Sequence, residues 1–284
     1  MKTLSKLACA AGLVFAMIGA ARADAVVNDW YFNPNGTGIG GATPIHEQLD
    51  FIGAGLIIIT PTSATNFTFK EYAVFRVPTY DATFDLPTPN YITAIFEATG
   101  SGTFGGTFSF AAGGTLSLYS DAVGNFGSTT AGTKYGAGDG TLIGTFSTLA
   151  GGGGQVDATG NPTGNGQVTV NMAANAGDLA NGYWFDPSGN ALGSSLAFAF
   201  TNANPQQAPT SALVKGLACD YAGLGAPQGI NCTTGVDSNP ATLYVGNNGQ
   251  FKLATVPEPD SLALIGLALF AVGGVRRYSQ SKRA

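Results

Sequence analysis

Four aromatic residues, three acidic turns, one histidine and a cysteine pair are the parts of this sequence that could do chemistry. Trp30-Tyr31-Phe32-Asn33-Pro34-Asn35-Gly36 matches Tyr183-Trp184-Phe185-Asp186-Pro187-Ser188-Gly189 position by position in residue type. The rings of Trp30, Tyr31, Tyr183 and Trp184 can stack on the C–H faces of sugars. They can equally build a buried aromatic ladder, because both uses draw on the same apolar area. Each stretch reads as an aromatic strand entering a type I turn, with Asn or Asp first, Pro second and Gly fourth. The match predicts two related hairpins with Trp30 and Trp184 in equivalent places.

Asp-x-x-Gly-Asn recurs at residues 121–125, 157–161 and 186–190. Its oxygens are of the hard type that calcium takes, but the Asp-x-Asp-x-Asp loop and the regular repeat of calcium-binding solenoids are missing. Turn chemistry is the plainer use, with Asp accepting from turn amides and Gly taking positive φ. His46 is the one imidazole, so any Ser-His-Asp triad would have to use it. No Gly-x-Ser-x-Gly surrounds a serine, and His46-Glu47 lacks the second histidine of a zinc helix. A glycosidase needs only two carboxylates about 5–10 Å apart, and no pair stands out. The expectation is a protein with no catalytic residue, no metal ligands and no cofactor, calcium being the one cation to weigh. Cys219 and Cys232 are expected to form a disulfide, since an even pair in an exported chain usually does.

These residues need a scaffold, and composition says which. The chain has 284 residues, 42 of them Gly, and only 10% are charged. Gly costs about 1 kcal/mol relative to Ala inside a helix, which disfavours a mainly helical protein. The formal charge is −5, whereas binding nucleic acid takes clustered Lys and Arg. Residues 24–256 carry five basic residues and 15 of the 17 acids, a net charge of −10. That charge suits a soluble exported body, which is long enough for one large all-β domain or two small ones.

Alternating apolar residues mark short strands at 67–75, 91–96, 103–110, 115–119, 141–146, 167–171, 195–200, 243–245 and 250–253. They are rich in aromatic and β-branched residues and divided by Gly, Asn, Asp and Ser clusters. The fold class expected is all-β, a Gly-rich antiparallel β-sandwich or barrel-like body, with no apolar run at helical period. Gly151–Gly154 and the stretch to Gly166 read as a flexible loop or a boundary between sheet halves.

The two ends are addresses. Residues 1–23 form a signal helix, with Lys2 and Lys6 before an apolar run and Ala21-Arg22-Ala23 as the cleavage site. Cys9 is discarded with it. At the other end (257–284), Pro257-Glu258-Pro259 precedes a single apolar helix at 261–275, and Arg276 and Arg277 open a basic terminus. Fifteen residues rise about 22 Å, short of a roughly 30 Å hydrocarbon core. The basic end stays cytoplasmic by the positive-inside rule, so the tail holds the chain at the membrane only briefly.

This tail resembles the PEP-CTERM sorting tail of Gram-negative bacteria. The resemblance implies an exosortase as processing partner, transient anchoring in the inner membrane, and release to the cell surface or extracellular matrix beside exopolysaccharide. Residues 28–38, Glu47-Gln48-Leu49-Asp50 and Glu71-Tyr72-Ala73-Val74-Phe75 are similar to flocculation-associated PEP-CTERM proteins. That likeness implies a noncatalytic, exopolysaccharide-associated protein promoting floc or biofilm formation, and it carries no catalytic motif. The alternative is a secreted carbohydrate-active enzyme or lectin-like module, with Trp30, Tyr31, Tyr183 and Trp184 as sugar contacts. Ice binding would need flat, regular Thr arrays, and the Thr residues here are irregularly spaced.

Overall fold

Period-two alternation decides which side chains of this chain point inward. The computed structural model describes residues 25–255, apart from 88–89, 164–166, 176, 193–195 and 204. The signal at 1–23 and the tail at 257–284, with Pro257, Glu258, Pro259, Arg276 and Arg277, lie outside the described residues. The first strands are β1 (Ala25–Val26), β2 (Trp30–Phe32), β3 (Thr43–Ile45), β4 (Leu49–Pro61), β5 (Asn66–Tyr80) and β6 (Phe84–Asp85). There follow β7 (Tyr91–Thr103), β8 (Thr107–Phe110), β9 (Thr115–Asp121), β10 (Thr141–Thr148), β11 (Gly151–Gln155) and β12 (Gln167–Ala174). The last are β13 (Trp184–Phe185), β14 (Leu196–Ala203), β15 (Ile230–Asn231), β16 (Val236–Asp237) and β17 (Thr242–Thr255).

The body is all-β, and its antiparallel pairings close into a barrel. One half of the ring runs β4-β5-β7-β9-β10-β12-β14-β17 and returns to β4. The other half replaces β9 and β10 by β8 and β11, because β7 pairs with β9 over its first half and with β8 over its second. Inside lie Leu49 and Phe51 of β4, Phe67, Phe69, Ala73 and Phe75 of β5, and Ile92, Ala94, Phe96 and Ala98 of β7. Phe146, Val170, Met172, Phe251 and Leu253 meet them from the far wall. Each large apolar side chain so buried contributes about 1.5–3 kcal/mol.

A second layer covers one outer face. Thr210 caps an α-helical turn (Ser211–Leu213) by accepting the Leu213 N–H at 3.2 Å, and a π-helical stretch (Val214–Tyr221) continues it as helix α1. Leu213, Val214, Leu217 and Ala218 pack on Ala54, Leu56, Val74, Ile95 and Tyr244, the outward residues of β4, β5, β7 and β17. Cys219 is bonded to Cys232, closing a loop of sequence separation 13 between α1 and the residue after β15. Asp220 accepts the N–H groups of Gly132 and Lys134, both at 2.6 Å, fastening the segment after β9 to the same helix. Replacing Cys219 by Ser is expected to cost about 2–4 kcal/mol. Hydrogen exchange should show the loss as faster opening of residues 211–237, with the barrel amides still protected; equal protection in the variant would contradict this.

Three expectations are corrected. Residues 103–110 form no single strand, because a turn at 104–106 folds β8 back along β7. Gly151–Gly154 form most of β11, held between β8 and β12, and are not a loop. Only glycine fits there: a Cβ on Gly153 would lie 2.0 Å from the Phe108 carbonyl oxygen. Helix α1 also forms, and Leu213, Val214, Leu217 and Ala218 supply the short apolar run at helical period that was not expected.

Candidate functional site

The aromatic echo folds into a plug for the barrel. β13 pairs with β2, Trp184 opposite Phe32 and Phe185 opposite Tyr31, and β3 completes a three-stranded sheet. The Trp30 and Trp184 rings stack 5.8 Å apart at 15°, and Trp184 lies 6.1 Å from Phe251. The Trp184 Nε1–H donates to the Ile143 carbonyl of β10 at 2.7 Å. Trp30 is 0% exposed and Trp184 1%, so neither indole offers a face to a sugar. The sugar-contact expectation is therefore corrected for both, because the plug uses their area. Tyr31 is half-buried, and Tyr183 is half-buried with its ring against Gly36. The two stretches are not equivalent hairpins either; they are partner strands.

Their turns follow the expected chemistry. The Asn33 Oδ1 accepts the Asn35 N–H at 2.9 Å, and the Asp186 Oδ1 accepts the Ser188 N–H at 2.8 Å. Gly36 and Gly189 take φ of 68° and 83°. Asp157 and Asp186 have the same arrangement, each accepting the N–H groups two and four residues on and the Asn side-chain amide four residues on. The bond from the Thr159 hydroxyl, followed by these amides, holds Asp157 down at about 2. The Asn190 side chain and neighbouring amides lower Asp186 likewise. Asp121 departs from the pattern, accepting the Val123 N–H alone. Carboxylates filled by N–H donors have few lone pairs to give a cation. Among the described residues no three His, Cys, Asp or Glu side chains gather as metal ligands.

His46 sits on the surface, its Nδ1 2.6 Å from the Asp29 carboxylate. That hydrogen bond raises the imidazole pKa. Beside it Asp81 accepts the N–H groups of His46, Glu47 and Gln48 at 2.7–3.0 Å. Partial burial pushes the Asp81 carboxyl up, and these three bonds outweigh it, leaving it lowered. The cluster pins the approach to β4.

A separate concavity lies elsewhere. A groove of about 850 Å³ is lined by β4, β5 and β7, by Val123–Phe126 after β9, and by Gln207 ahead of α1. Arg76, Asp85 and Tyr91 line it, and all three are exposed. Sequence reasoning passes over them, reading Tyr91 only as the start of a strand. One signal was available: Arg76 is the single arginine of residues 24–256.

A family model described as the PEP-CTERM protein-sorting motif matches residues 255–277. The match defines the class: an exported chain processed by an exosortase, bound for the cell surface or beyond. No curated protein and no solved structure matches the chain.

Proposed function

We propose that the body is a noncatalytic protein of the exopolysaccharide matrix, promoting floc or biofilm cohesion after its tail is processed. The observation that carries this reading is the sorting motif at residues 255–277. The resemblance at residues 28–38 and 71–75 supports it. So does a closed barrel with a disulfide-tied outer layer, a form suited to persisting outside the cell. The chain reaches that place by brief anchoring in the inner membrane, with the exosortase and then the polysaccharide as partners, and it works without a cofactor.

The mature protein should be retained on immobilised native exopolysaccharide, with no reducing ends released. Release of reducing ends would make it a carbohydrate-active enzyme, and absence of retention would overturn the matrix reading. Retention should also survive chelation of divalent cations, given that the Asp157 and Asp186 oxygens are already bonded to N–H groups. Loss on chelation would assign calcium a role.

A further inference from the structure

The groove outside the barrel holds polar groups that the fold leaves unused. Arg76 makes no ion pair among the described residues, where the pairs are His46–Asp29, Lys70–Glu97 and Lys252–Glu47. The carboxylate of Asp85 has no hydrogen-bond partner among them either. Asn125 also lines the groove; its Nδ2 donates to Asp139 at 2.7 Å, while its Oδ1 is buried with no partner.

An aromatic platform stands beside these groups. The Tyr91 ring is 49% exposed, and it is held from behind by the backbone at Gly124. A Cβ on Gly124 would lie 2.6 Å from the ring's Cζ, so only glycine lets the ring lie there. Val123, 63% exposed, extends the apolar surface. Tyr91 and Val123 thus give the groove an exposed apolar edge beside its unpaired polar groups, and its volume is that of a small-ligand cleft.

The chemistry selects among ligands. A pyranose has an apolar C–H face and a rim of hydroxyls that both donate and accept. Tyr91 offers a face for the first, while guanidinium donors and carboxylate acceptors meet the second. One positive and one negative group leave the groove without net charge, and a body of net charge −10 repels a polyanion. We propose that this groove binds a neutral pyranose unit of the exopolysaccharide, with Tyr91 under the ring and Arg76 and Asp85 on its hydroxyls. The proposal rests on the matrix reading above and gives it a site and a sugar class.

The test uses the mature protein and native exopolysaccharide split by anion exchange into neutral and acidic oligosaccharide fractions. Binding of each fraction is measured by titration for the wild type and for Tyr91→Ala, Arg76→Gln and Asp85→Asn. All three positions are exposed, so thermal midpoints should stay near the wild-type value. The expected result is wild-type binding of the neutral fraction, weakened about tenfold or more by each substitution. Unchanged binding in all three variants would overturn the site while leaving the matrix reading intact. Binding of the acidic fraction alone would overturn the neutral-sugar assignment. Binding of neither fraction would remove the matrix reading together with the site.

Discussion

Replacing Trp184 by alanine should cost about 3–5 kcal/mol, the range for deleting a buried indole from a packed core. The side chain is 1% exposed and lies 4.7 Å from Phe32, 5.8 Å from Trp30 and 6.1 Å from Phe251. It bonds to the barrel wall through the Ile143 carbonyl. A domain is stable by only about 5–15 kcal/mol in total, so the variant should lose a large part of its denaturant midpoint. The neighbouring indole gives a control. The Trp30 Nε1 is buried with no partner, so Trp30→Phe removes an unsatisfied donor. Trp184→Phe removes a bond that is made, at about 0.5–1.5 kcal/mol, and leaves the Ile143 carbonyl with the Ala180 N–H at 3.0 Å. Equilibrium unfolding of the two Phe variants should therefore rank Trp184→Phe as clearly the less stable. Equal stabilities, or a Trp184→Ala variant within about 1 kcal/mol of wild type, would show that the plug does not bear on the barrel.

Glu71→Gln should stabilise the protein at neutral and alkaline pH by about 3 kcal/mol and leave it nearly unchanged at pH 4. Glu71 lies on the inward face of β5 between Phe69 and Ala73 and is 4% exposed. Burial alone pushes its carboxyl from 4.5 up to about 7. Its neighbours offer little relief: the Nδ2 and Oδ1 of Asn247 are buried without partners, and Gly55 next to both has no side chain. Below pH 4.5 both the folded and unfolded chains hold the proton. Between 4.5 and about 7 the unfolded chain gives it up while the barrel keeps it, so stability falls as pH rises. Above about 7 the loss is complete. Denaturant midpoints at pH 4, 6 and 8 for wild type and variant should diverge across that window, and parallel curves would refute the burial argument.

The same residue shows what a sequence can and cannot disclose. Phe67, Phe69, Ala73 and Phe75 announce an inward face at period two, and Glu71 falls in that phase. The signal for a buried carboxyl was present in the alternation. β4 carries the opposite lesson. Residues 51–59 of β4 are apolar on both faces, because their inner side fills the barrel and their outer side lies under α1. Alternation vanishes there, and a strand that pairs with β5 along nearly its whole length had no periodic mark. Helix α1 carried an apolar stripe at Leu213, Val214, Leu217 and Ala218, but its shortness and the Gly216 in its middle masked it. The turns at Asn33 and Asp186 were legible because their chemistry is confined to four residues. That β2 and β13 pair with each other was not, since nothing local links residues about 150 apart. The groove was invisible for a related reason: Arg76, Asp85 and Tyr91 come from three strands, and only the folded register brings them to one wall.

Barrel closure has a consequence wherever many copies gather, as in the matrix proposed above. An open sheet ends in a row of unpaired amides and carbonyls, and such a row templates fibril growth when many copies gather. Here β4, β5, β7, β9, β10, β12, β14 and β17 pair with one another around the ring. Neighbouring molecules in such a matrix would meet the ring chiefly through side chains. Contacts of that kind form and break one at a time, so an assembly built on this barrel can be remodelled and does not set irreversibly.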